Sequence, residues 1–208
     1  YLQTQVRHPL LPPRASVGDL QEIRLLVLGC THSLEVNQAS LFLNQRVSQV
    51  ALERDVNGIV VAGDLIAGRA HGYAEKGNLV GGAGYTEQEE FAAWQHSAIL
   101  RDVFNQRFHS AWQSMKRPRR MKADVLRELI LRCLPTYYYT PGNHDEWVKW
   151  SAFQALDKFD YEVRKKLGHH IHQELNRVGI LTQVRVGPLV NQRIIRLEKK
   201  WKKDEKKT

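Results

Sequence analysis

The amino-acid sequence predicts an α/β domain, a β-sheet core flanked by helices with a helical insertion. Three observations carry that prediction. Short apolar runs at 23–28 and 59–62 each end on a glycine, Gly29 and Gly63. Between them, apolar residues recur at helical spacing, so strand, helix and strand follow one another as in a parallel pair with a right-handed crossover. A third run, 136–140, consists of threonine and tyrosine, residue types that suit strands, and stops at Pro141 and Gly142.

Taken in order, residues 1–22 contain His8-Pro9-Leu10-Leu11-Pro12-Pro13, where proline removes donors and restricts its neighbours. They read as an extended N-terminal arm ahead of a domain over 23–197. The run 23–28 suits a strand buried on both faces. Val36, Leu43, Val47, Val50 and Ala51 set a helix over about 35–54, and Asn57-Gly58 turns the chain into the second strand. Residues 67–84 are rich in glycine and poor in large apolar side chains, so ordering them costs much entropy. They read as a mobile loop or lid, the first part of an insertion over about 67–122.

Thr86-Glu87-Gln88-Glu89 has a capping-box pattern. It opens a helix to about residue 115 that carries Phe91, Trp94, Ile99, Val103 and Phe104. The basic, proline-broken stretch 116–120 ends it. Val125, Leu126, Leu129 and Ile130 then mark a helix over 123–133. Beyond the third strand, Trp150, Phe153, Leu156, Phe159, Val163, Leu167, Ile171, Leu175 and Val178 recur every three or four residues. That is one long amphipathic helix, with Gly168 as a point of bending and Gly179 as its stop. Residues 180–186 and 194–197 read as strands around a Gly187-Pro188 turn, and 198–208 as a basic tail.

A chain of 208 residues with 42% hydrophobic and 25% charged residues has the makings of a folded core. Two cysteines, Cys30 and Cys133, are too few for a disulfide framework. No apolar run reaches the roughly 20 residues of a membrane span. The expected location is intracellular, in the cytoplasm or an organelle such as the mitochondrion. The formal charge is +9, and much of it lies in two clusters. Lys116, Arg117, Arg119 and Arg120 form one; Lys199, Lys200, Lys202 and Lys203 belong to the other. Such clusters attract phosphate backbones by counterion release. They point to a polyanionic partner, RNA or DNA, without implying base readout; a solvated linker and tail is the plain alternative.

The residues that carry chemistry lie at strand ends: Cys30-Thr31-His32, Gly63-Asp64 and Gly142-Asn143-His144-Asp145. In open α/β sheets, ligands bind at the carboxyl ends of the strands. Hydrolysis of a phosphoester needs charge neutralisation, an activated water and help for the leaving oxygen, and two divalent ions supply the first two. Asp64 suits a carboxylate ligand, Asn143 a neutral oxygen ligand and His32 a nitrogen ligand. His144 is placed to protonate the leaving group, with Asp145 orienting it.

These motifs, in this order, resemble those of the calcineurin-like metallophosphoesterase family, in which Asp-x-His, Gly-Asp and Gly-Asn-His-Asp/Glu each follow a strand. The resemblance extends over about 23–197 and includes Gly179-Ile180-Leu181-Thr182, similar to the strand after the third motif. It implies a metallophosphoesterase-like sheet core with an incomplete second half. It also implies two divalent ions (Mn, Fe, Zn or Mg) and a phosphoester substrate. Two departures stand out. Cys30 occupies the position of the family's first Asp, and thiolate is a poor partner for magnesium or manganese. The family's later histidine motifs have no counterpart; His169, His170 and His172 fall within the helical pattern and read as a polar helix surface.

Two functions are compatible with these residues. One is a degenerate family member with no metal bound, a basic structural or binding subunit of a larger, ribonucleoprotein-type assembly with other protein subunits. The other is an active two-metal phosphoesterase acting on phosphomono- or phosphodiesters, nucleic acid included. A nucleic-acid-binding module of unrelated ancestry leaves the three ordered motifs unexplained.

Overall fold

The computed structural model describes residues 23–29, 31–33, 43–67, 84–142, 144–145, 155–180 and 184–197. Four strands, β1 (Leu25–Leu28), β2 (Gly58–Ala62), β3 (Thr136–Thr140) and β4 (Ile194–Arg196), form a sheet in the order β1-β2-β3-β4, every neighbouring pair parallel. Val27, Val60, Tyr138 and Ile195 lie in one register row. Parallel neighbours need crossovers, and α-helices supply them here. They are α1 (Leu43–Glu53), α2 (Tyr85–Ser114), α3 (Ala123–Cys133), α4 (Ala155–Arg177) and α5 (Val186–Arg193).

Strand order that follows chain order, with right-handed crossovers, collects the helices on one face of the sheet. Burial shows the result. Ile59, Val61, Tyr137 and Tyr139 project to that face and are buried against Val47 and Ala51 of α1, Ile99 and Phe104 of α2, and Val163 and Leu167 of α4. On the other face Leu25 is 46% and Val27 62% exposed. The expectation that the first strand is buried on both sides is therefore corrected: among the described residues β1 is an edge strand, with Leu25 and Val27 exposed on one face.

The expected helix over 123–133 and strand over 136–140 appear with those bounds. Gly58 joins the second strand, and the helix expected over 35–54 is described from Leu43 to Glu53. Three details differ. α2 begins at Tyr85 with Gly84 as its N-cap and no side-chain cap bond, so Thr86 lies inside the first turn and no capping box forms. α4 runs through Gly168 without interruption and closes at Gly179, whose φ is +76°, with the Ile180 amide returning to the Leu175 carbonyl. Finally, Gly187-Pro188 is not a turn between strands. It lies in the first turn of α5, where an absent N–H leaves no helical bond unmade. Consequently Val186 is helical rather than extended, and Ile180 lies outside any strand.

The extended arm, the greater part of the glycine-rich stretch, Cys30, Asn143, residues 146–154 and 181–183 and the basic tail lie outside the described residues. No described helix is long and apolar enough to cross a membrane.

Candidate metal centre

The loops after β1, β2 and β3 leave the same end of the sheet and are tied together by backbone bonds. The Thr31 and His32 amides both donate to the Asp64 carbonyl at 3.0 Å, and the Ser33 amide to the Leu65 carbonyl at 3.0 Å. Ser33 and Ile66 make a single parallel bridge just beyond the strands. This pairing holds His32 and Asp64 in left-handed backbone conformations, φ 40° and 39°. Such conformations cost a non-glycine residue roughly 1–3 kcal/mol each and cluster at functional sites.

Two glycines make the third loop's approach feasible. Gly63 takes φ +91°. A Cβ on Gly142 would lie 1.8 Å from Asp64 Oδ1 and 2.2 Å from the Asp64 amide nitrogen. Only a residue without a side chain lets the β3 loop rest on Asp64.

Once docked, the loop is held by carboxylates. The His144 amide donates to Asp64 Oδ1 at 2.9 Å. The buried Asp145 carboxylate accepts from three amides: Gly142 at 2.9 Å, Leu65 at 3.1 Å and Ile66 at 3.2 Å. Burial lifts its pKa to about 6 and the nearby Asp64 adds to the rise, against the three amides, which favour the charged form. Asp145 was expected to orient the His144 ring. Instead, it bonds backbone of two loops, and the Ala67 carbonyl holds the ring through Nδ1. A carbonyl only accepts, so Nδ1 carries a proton and Nε2 is the ring nitrogen suited to ligation.

His32, Asp64 and His144 thereby converge, their candidate ligand atoms all within 4.8 Å of one another. His32 Nε2 lies 3.7 Å from Asp64 Oδ2, and the two imidazoles meet edge to face with centroids 4.7 Å apart. Two ligands on a tetrahedral ion at about 2.0–2.1 Å stand roughly 3.4 Å apart. The His32–Asp64 spacing is close to that value, and a modest inward rotation of side chains closes the rest. The Ser33 hydroxyl oxygen is buried beside the bridge with no hydrogen-bond partner among the described residues. Two imidazoles and one carboxylate form a donor set suited to zinc, iron or related ions, so the residues fit a metal.

This is the one grouping of three or more metal-type ligands among the described residues. His169, His170 and His172 lie on α4 away from it, and His170 Nε2 pairs with Asn105 at 2.9 Å. Of the sequence-predicted site residues, His32 and Asp64 come together. His144, expected as an acid, joins them as a third ligand-type group. Lys116 and Arg117 are exposed at the end of α2 with φ 62° and 54°, and Arg119 and Arg120 follow on the surface. The amides of Leu65 and Ile66 and the Ala67 carbonyl were not foreseen, because a backbone group leaves no trace in residue type. Compared with known proteins, the chain matches no family model, no curated protein and no solved structure.

Proposed function

We propose that this chain is a divergent metallophosphoesterase-like protein that binds a single transition-metal ion at His32, Asp64 and His144. We place it as a basic binding subunit in a larger, nucleic-acid-containing assembly. One observation carries the reading: three ligand-type side chains from three separate strand-end loops meet within 4.8 Å. Three donors suit one ion, and the described residues supply no second set for the paired ions of a two-metal hydrolase. The Nδ1 bond to Ala67 favours a ligand role for His144, since an imidazole orients its ligating nitrogen through a bond from the other one. When bound, the ion supplies positive charge to a phosphoryl oxygen. The chain's own part is to hold the three side chains at fixed loop junctions and to anchor Asp64 Oδ1 on the His144 amide.

Metal content and phosphodiester turnover test this. Titration with Zn²⁺ or Mn²⁺ should show about one ion per chain, lost in Asp64→Asn and weakened at least tenfold in His32→Ala. A generic phosphodiester should show no turnover in manganese. Two ions per chain with turnover that vanishes in Asp64→Asn would establish the two-metal enzyme instead.

A further inference from the structure

A second site lies at the other end of the sheet. Arg107 Nη2 donates to the Val56 carbonyl at 2.8 Å and to Asp55 at 3.1 Å, just ahead of β2. By residue 107, therefore, α2 has reached the amino ends of the strands, opposite the loops that carry Asp64. Beyond that point the loop after α2 and the end of α4 flank an open groove of about 820 Å³, lined by Arg119, Arg120, Met121, Arg177, Val178 and Gly179. The lining holds three guanidinium groups and no carboxylate. We infer that this groove is a phosphate-backbone cradle for single-stranded nucleic acid, separate from the metal centre. It deepens the binding-subunit reading above and rests on its nucleic-acid half alone.

Both walls are organised before any ligand arrives. On one side α2 closes with paired returns, the Lys116 amide to Gln113 at 2.9 Å and the Arg117 amide to Trp112 at 3.0 Å. Trp112 Nε1 then donates to the Pro118 carbonyl at 3.2 Å, fixing the loop that presents Arg119 and Arg120. On the other side the buried Glu174 grips Arg177 by Nε at 2.9 Å and by Nη2 at 2.5 Å, with His109 Nε2 2.7 Å from the same carboxylate oxygen. Burial alone would raise the Glu174 pKa, but the bonds from Arg177 and His109 outweigh it and hold the carboxyl below its ordinary range. Glu174 thus orients the Nε and Nη2 edge of the Arg177 guanidinium. A guanidinium held this way suits phosphate oxygens.

The volume argues for more than a lone phosphate. Pockets of roughly 300–1,000 Å³ take ligands of drug or nucleotide size. Met121 and Val178 give apolar surface for sugar or base beside the charges. Exposed Lys116 and Arg117 extend the positive surface along the same loop.

The test is fluorescence anisotropy with a labelled single-stranded RNA oligonucleotide, measured from about 50 to 200 mM salt. Arg119→Gln with Arg120→Gln should weaken binding about tenfold and flatten the logarithmic salt dependence by about 1.4, two contacts at roughly 0.7 each. Arg177→Gln should flatten it by about 0.7. Arg119 and Arg120 are exposed, so melting curves should stay at wild type. Asp64→Asn should leave the salt slope of RNA binding unchanged while removing metal, and His32→Ala should do the same while weakening metal binding, which keeps the two readings separable. A wild-type salt slope in the Arg119/Arg120 variant overturns the cradle. So does competition by poly-glutamate as strong as by unlabelled RNA, which would assign the groove to an acidic protein.

Discussion

Replacing Gly142 with alanine tests whether the β3 loop really rests on Asp64. The added Cβ would sit 1.8 Å from Asp64 Oδ1 and 2.2 Å from its amide nitrogen. The carboxylate could swing aside, at the loss of its bond from the His144 amide. The amide nitrogen cannot, because it belongs to the backbone beside Gly63, whose own added Cβ would meet Gly142 Cα at 3.2 Å. The loops must therefore separate by about an ångström. Overpacking of this kind costs about 1–3 kcal/mol, and each hydrogen bond to a charged group adds about 1.5–3 kcal/mol when broken. The Asp145 bonds to Leu65 and Ile66 cross the same gap. Partial relaxation leaves an expected loss of about 3–5 kcal/mol. At about 2–4 °C per kcal/mol for a chain of this size, that lowers Tm by about 6–20 °C. Differential scanning calorimetry measures the shift, and metal titration should show weaker binding. A variant that melts within about 3 °C of wild type and keeps its metal affinity would refute the close approach.

The same experiment has an internal control. Gly168 lies inside α4 with nothing within 4 Å of an added Cβ, so Gly168→Ala should raise stability by about 0.8–1 kcal/mol, a small upward shift in Tm. A fall would show that α4 is packed at that point. His96 provides a pH test. It is wholly buried on α2 with Nδ1 2.8 Å from the Tyr137 hydroxyl, and burial lowers its pKa from 6.5 to about 4. Because the folded value is depressed, the unfolded chain takes up the proton first. Its contribution is fully present above about 6.5 and lost as pH falls towards about 4, about 3 kcal/mol in all. Urea unfolding at steps across that window should show the loss, and His96→Asn, which keeps a polar group near Nδ1, should flatten it. An unchanged profile would mean that His96 does not stay neutral in the fold.

Elements were legible where residue type and spacing agree. Residues 123–133 combine helical spacing with a buried stripe of Leu126, Leu129 and Ile130, and 136–140 combine β-forming residues with a proline stop. Failures fell where one local signal serves two structures. Gly-Pro marks a turn, yet proline early in a helix loses no bond there, and the packing of Val186, Leu189 and Val190 decided for a helix. Thr86-Glu87-Gln88-Glu89 has the chemistry of a cap, but the helix begins at Tyr85, ahead of it. The open face of β1 was hidden for another reason. Strand order depends on pairings between distant segments, and an apolar run such as Leu25 to Leu28 looks the same at a sheet edge and at its centre.

The candidate site divides along a similar line. Asp64, His32 and His144 were recoverable because their side chains carry the chemistry. Their roles were harder to assign, because these depend on backbone groups that any sequence possesses. Had a carboxylate bonded to the His144 ring, the ring would have had the partner of an acid–base pair; the Ala67 carbonyl takes that place instead, an orientation that suits a ligand. Asp145, the residue foreseen as that partner, carries the junction: three amides from two loops meet on its carboxylate. The arginine cradle follows the same logic at larger range. Arg119 and Arg120 were visible as charge, but Arg177 reaches them only because α2 and α4 pack side by side and end at the same end of the sheet. A basic cluster alone describes a solvated surface. Glu174 beneath Arg177 adds a direction to that charge, because the i,i+3 carboxylate holds one edge of a guanidinium that stays exposed.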